Sequence, residues 1–187
     1  MPLQIDWEWI GRHEGYKTSA YWPGGVSGVT IGHGIDLGYY SDTELHRLTE
    51  LDVALAQKIE RYIDVTGIDA HTLVRMKPLT LSDQKCLSLE IPKREGLISG
   101  LRAALQRGGI MLEDLPPAAQ TVLADLTWQY GAPWKRCPHT WKDICALDWP
   151  KVIADLRDFH DSFPTRRNDE ADLLEAAQLQ ITDEKGE

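Results

Sequence analysis

Between Gly24 and Gly38 the chain reads GGVSGVTIGHGIDLG, six glycines in fifteen residues. A stretch so rich in glycine cannot hold a helix, because each glycine in a helix interior costs about 1 kcal/mol relative to alanine. Its remaining residues are mostly Val, Thr and Ile, and Tyr16, Tyr21 and Trp22 precede it. Such residues suit strands, while glycine supplies the turns between them. Residues 16–40 therefore read as a small hairpin or three-stranded sheet. One reading of the glycines is purely structural, as turns. The other is functional: glycine lets a bulky substrate lie close to the backbone.

The rest of the chain reads as helix. Ile5, Trp9 and Ile10 share a face of a short helix from Ile5 to Glu14, which Gly15 stops. Ser41 and Glu44 form a capping box, and SDTELHRLTELDVALAQKIERYI follows as one helix. Leu81–Glu90 and Arg94–Gln106 read as two helices separated near Pro92. Pro116 and Pro117 open PPAAQTVLADLTWQYG, which Gly131 closes. Residues 132–148 read as a loop, Trp149–Phe159 and Thr165–Leu179 as helices, and TDEKGE as a frayed end. The expected fold class is α+β: one N-terminal β-element and a body of about six helices, not alternating βαβ units. A length of 187 residues suits a single domain. Its expected lobes are an N-terminal helix and β-lobe to about residue 40 and a helical lobe over about 41–180.

Charge and composition exclude several classes. The formal net charge of −9 opposes nucleic acid as a partner, since phosphate selects for clustered Lys and Arg. No apolar run reaches the length of a membrane span. The start, MPLQIDWEWIGRHEGY, has acids and tryptophans where a signal peptide needs basic and then apolar residues. The expectation is a chain made in the cytoplasm without a Sec signal. Cys86, Cys137 and Cys145 form no CxxC pair. Cys137 and Cys145 could bridge in an oxidising compartment; the reading favours small reduced core residues.

Twenty-nine acids are spread along the chain, yet between Glu14 and Asp42 the only one is Asp36. That isolates two carboxylates, Glu14 at a helix end and Asp36 at the exit of the glycine-rich stretch. Two carboxyls on opposite sides of a cleft can hydrolyse a glycosidic bond. One stays protonated in an apolar setting and donates to the leaving oxygen; the other activates water or stabilises charge on the sugar ring. Trp9, Ile10, Tyr16 and Trp22 are the neighbours that could desolvate Glu14.

This order of features resembles the phage-type lysozymes: a Glu at the end of the first helix, a hairpin carrying TIG, then a helical body. SGVTIGHGIDLG, with Thr30 six residues before Asp36, is most similar to the pesticin-like muramidase branch. VLADLTWQYG resembles the family's central-helix motif, and TRRNDEADLLEAA resembles its closing Arg-Arg helix. Residues 60–110 match nothing specific. The commoner phage pattern has an Asp or Cys eight or nine residues after the Glu, where this chain has Trp22 and Pro23. The resemblance implies a lysozyme-like fold and cleavage of peptidoglycan between N-acetylmuramic acid and N-acetylglucosamine. It implies Glu14 as general acid, with Thr30 and Asp36 holding or activating water, and inversion at the anomeric carbon. Gln129 and Tyr130 are cleft residues by the same resemblance. Trp22 is the best sugar-stacking candidate, and His33 is read as a cleft-lining or hydrogen-bonding residue. No cofactor or metal is implied. The settings that fit are a phage endolysin awaiting a holin, or an antibacterial effector delivered to the periplasm or target-cell wall. An effector would have a cognate immunity protein that plugs its cleft.

Other readings compete. A non-catalytic glycan-binding module would have no need of an isolated carboxylate pair. His13 and Glu14 begin like HExxH, but position 17 is Lys, so that zinc motif fails. A thiol amidase built on Cys137 or Cys145 with His139 lacks a diagnostic spacing. Trp128 and Trp149 read as core; Trp134 and Trp141, in the expected loop, read either way. Arg166 and Arg167 are expected to pair with acids and fix the last helix.

Overall fold

The computed structural model describes residues 2–49 and 52–184. The chain divides into two compact units: Met1–Ile10 with Gly96–Glu187, and Gly11–Glu95. The unit that holds the sheet thus runs on to Glu95, past residue 40.

The Gly11–Glu95 unit begins within α1 (Trp7–Glu14), which leads into β1 (Lys17–Tyr21), β2 (Thr30–Gly32) and β3 (Ile35–Asp36). These form the expected three-stranded antiparallel sheet in the order β1-β2-β3. Val29, Ile31, Ile35 and Leu37 are buried along it. Next come α2 (Asp42–Leu48), α3 (Val53–Ile59), α4 (Gly67–Met76) and the first turns of α5 (Asp83–Gln106). Ser41 and Glu44 meet as predicted: the Ser41 backbone N–H donates to Glu44 Oε2 at 2.9 Å.

The other unit holds the end of α5, then α6 (Pro117–Tyr130), α7 (Pro133–Arg136), α8 (Pro138–Cys145), α9 (Trp149–Arg157) and α10 (Pro164–Glu184). Its core gathers Leu101, Leu105, Leu123, Leu126, Ile144 and Leu156. Leu3, Ile5 and Trp7 pack against that core, and the Gln4 and Asp6 backbone N–H groups donate to Gln120 and Thr121 side chains at 2.8 and 3.0 Å. Burial of such side chains contributes roughly 1.5–3 kcal/mol each. Trp128 is buried and Trp149 packs on the same core, as read from their helical faces.

The α+β class and the expected order of elements hold, but the described residues form ten helices rather than about six. The stretch from Ser41 is not one helix. α2 stops at Leu48, and Asp52 starts α3 by accepting the Leu55 N–H at 2.9 Å. Residues 50 and 51 lie outside the described residues. Nor does Pro92 separate one helix from the next; it sits buried inside α5. A proline removes one backbone bond at a cost of about 3 kcal/mol, which burial along both ends of so long a helix offsets. The expected loop over 132–148 is α7 and α8, each opened by a proline at its first position. Trp134 and Trp141 lie on these helices, edge to face with centroids 5.6 Å apart. α10 takes in residues 182–184, the start of the expected frayed end; residues 185–187 lie outside the described residues. No described helix is long and apolar enough to cross a membrane. All three cysteines are free, Cys86 buried and Cys137 and Cys145 half-buried.

Candidate active site

Glu14 is the last residue of α1. Gly15, at φ +65°, ends the helix and turns the chain into β1. This left-handed conformation favours glycine. The Glu14 side chain is half-buried, with Oε1 withdrawn from solvent. Lys93, from α5, lies within electrostatic reach of both Glu14 and Glu90. Burial lowers the Lys93 pKa, and the attraction of these two acids opposes that shift.

Thr30 and Asp36 face each other across β2 and β3, in register, with Ile31 opposite Ile35. Directly opposed residues project from the same face of a sheet. Thr30 is 5% exposed and its hydroxyl donates to the Gly28 carbonyl at 3.5 Å. The Asp36 carboxylate is more firmly held. Oδ2 accepts the Gly28 N–H and Oδ1 the Gly38 N–H, each at 3.0 Å. The second bond caps the 3-10 turn Leu37–Tyr39. The two glycine backbones come so close that a Cβ on Gly28 would lie 2.5 Å from the Gly38 Cα. Six glycines in this stretch thus include one pair for which nothing larger fits. Burial raises the Asp36 pKa above its ordinary 3.8, outweighing the two N–H bonds that lower it.

His33 and Gly34 make the two-residue turn from β2 to β3. The His33 side chain is 17% exposed, and its Nδ1 lies 2.8 Å from Glu90 Oε1. Glu90, fully buried on α5, also accepts from Arg94 at 2.7 Å through Oε2. As a carboxylate it only accepts, so His33 Nδ1 carries the proton. Tyr16 lies against the His33 ring, centroids 4.7 Å apart, and donates its hydroxyl to Asp83 Oδ1 at 2.8 Å. Burial and that bond raise the Tyr16 pKa. Sequence reasoning missed Glu90, Lys93 and Arg94. The available signal was Glu90 itself, a lone acid in the run CLSLEIP.

Trp22 is half-buried; its indole N–H donates to the Ser27 carbonyl at 3.0 Å and its ring lies on His71, centroids 4.9 Å apart. Glu14, Trp22, Thr30, His33 and Asp36 all belong to the Gly11–Glu95 unit, whereas Gln129 and Tyr130 belong to the other. There Gln129 accepts from Arg167, and Tyr130 donates to Asp161 and is crossed by the Arg167 guanidinium at 5.6 Å. Arg167 also pairs with Glu170 at 2.5 Å. Arg166 grips Asp125 through two bonds of 2.8 and 2.5 Å. The two arginines do fix the closing helix.

A family model described as "Pesticin: Bacterial toxin homologue of phage lysozyme, C-term" matches residues 4–150. The match takes in Glu14, the whole sheet and α6 and stops short of α10. No curated protein matches the chain.

Proposed function

The chain belongs to the pesticin family of bacterial toxin homologues of phage lysozyme, and from that premise we propose that it is an N-acetylmuramidase. The family supports a muramidase-like peptidoglycan hydrolase in general. The proposal adds the bond, β-1,4 between N-acetylmuramic acid and N-acetylglucosamine, and the residues. Glu14 protonates the leaving oxygen. Thr30 and Asp36, on the opposite side of the sugar, hold the attacking water, and the product inverts. The observation that carries this reading is the in-register pairing of Thr30 with Asp36 in the sheet whose first strand follows Glu14 within a few residues. A carboxylate locked by two N–H bonds keeps a fixed direction. Trp22, His33, Gln129 and Tyr130, proposed as glycan contacts, each already has an intramolecular partner. Any sugar they touch meets a remaining ring face or edge, or the rest of the Gln129 amide.

The proposed setting is attack on the peptidoglycan of a target cell, as an endolysin or as a delivered antibacterial effector with a cognate immunity protein. The test is digestion of purified peptidoglycan by wild type and Glu14→Gln, with borohydride-reduced products read by mass spectrometry. Muropeptides ending in reduced muramic acid, from wild type alone, are the expected result. Freed stem peptides, or equal turnover by Glu14→Gln, would sink the reading.

A further inference from the structure

Beside the last turn of α1 lies a network whose buried acid, Glu90, has no role in the bond cleavage described above. Glu90 is fully buried, and both its oxygens are used: Oε1 by His33, Oε2 by Arg94. The His33 backbone N–H adds a longer bond to Oε1, at 3.4 Å. Replacing a buried ion pair by apolar side chains is often neutral or stabilising, so such a network is a poor source of stability. What it does is fix a ring. Nδ1 is tied to Glu90, and Tyr16, itself anchored on Asp83, lies on a ring face. Gly11 of α1 meets the far edge: a Cβ there would stand 2.9 Å from His33 Nε2. Gly11 precedes Glu14 by three residues, the spacing that puts two positions on one helical face. The next turn of α5 brings Lys93 toward Glu14 and Glu90 alike. All of these residues lie in the Gly11–Glu95 unit.

We propose that His33, Glu90 and Gly11 are positioning residues for Glu14: Glu90 locks the His33 ring, and the ring is the seat on which the last turn of α1 rests through Gly11. The inference rests on the reading of Glu14 as the general acid. A misplacement of about 1 Å at a reacting group can cost about 100-fold in rate, so the seat has leverage that its contacts alone would not suggest. Because the three residues act through one ring, their effects are not additive.

The test compares wild type with Gly11→Ala, Glu90→Leu, Glu90→Gln and the double variant Gly11→Ala/Glu90→Leu, each checked for a cooperative melt. Two readouts are taken: kcat and KM on solubilised glycan strands, and amide hydrogen exchange of His13 and Glu14. Gly11→Ala and Glu90→Leu are expected to lower kcat about 10- to 100-fold with KM within about twofold. Exchange at the last turn of α1 is expected to quicken about 10-fold. Glu90→Gln, which keeps an acceptor oxygen for His33, is expected to stay within about threefold of wild type, and the double variant to be no worse than the worse single. Unchanged kcat in the folded variants, a KM rise at constant kcat, or unchanged exchange would each overturn the positioning role. A wild type that releases no reducing sugar would sink the muramidase reading instead. The exchange data would still decide whether the ring seats α1.

Discussion

Removing the Asp36 side chain tests whether the glycine-rich stretch is held by its own carboxylate. In Asp36→Ala the buried Gly28 and Gly38 N–H groups lose acceptors that stand 3.0 Å away. A buried N–H left without a partner costs about 1–3 kcal/mol, so the pair amounts to about 2–6 kcal/mol. Relief of the carboxylate's own desolvation, which raises its pKa, brings the expected loss toward the lower half of that range. In a chain of 187 residues each kcal/mol moves Tm by about 2–4 °C, so the melt should fall by roughly 4–16 °C. Asp36→Asn keeps one acceptor and should lose about half as much. The pH dependence has a definite sign. The native pKa lies above 3.8, so just above pH 3.8 the folded chain holds more proton than the unfolded one. In that window wild type should lose stability with rising pH relative to Asp36→Asn. Thermal melts by circular dichroism from pH 3.5 upward read all three effects. An Asp36→Ala protein that melts with wild type would refute the clamp. If Asp36→Asn melts near wild type yet turns over about 100-fold more slowly, the carboxylate acts in the chemistry as well.

Arg166→Ala strands Asp125 in the core and should cost about 3–5 kcal/mol in urea unfolding; a loss under about 1 kcal/mol would show that the pair is expendable. Burial and the neighbouring Asp125 raise the Glu170 pKa well above 4.5. Wild-type stability should therefore decline as pH rises above 4.5, and Glu170→Gln should flatten that decline in parallel melts. Trp22→Phe removes the indole bond to Ser27 and should cost about 1 kcal/mol in the same melts. If Trp22 also stacks on sugar, KM on glycan strands should barely change, since the phenyl ring preserves a stacking face.

Local chemistry was legible wherever one residue decides an outcome alone. The glycines and β-branched residues of 24–38 announced the sheet, Ser41 with Glu44 a helix start, and Gly131 a helix end at φ +70°. Arg166 and Arg167 were legible as ion-pair formers because cations in a chain so rich in acids find partners. The misreadings share a different cause. Pro92 looks like a boundary only if the packing that holds α5 together is ignored. Pro133 and Pro138 look like loop residues unless each is taken as the first residue of a helix. Glu90 could not be joined to His33 from sequence, because 57 residues separate them and no local period links a turn to a distant helix. Nothing near Trp22 in sequence foretells His71 against its ring.

The division of α1 between the two units has a temporal consequence. Its first half rests among residues from Gly96 onward, and its second half among residues that end at Glu95. During synthesis Glu14 emerges before the strands, and every contact of the Gly11–Glu95 unit is available once Glu95 has left the ribosome. The bonds from Gln4 and Asp6 wait for Gln120 and Thr121, more than a hundred residues later. Contacts so distant along the chain form late, because a long loop must close before they stabilise anything. The helix that ends in the proposed acid is thus begun before the strands and anchored after them. A nascent or truncated chain that ends before Gln120 holds Glu14 on a helix fastened at only one end.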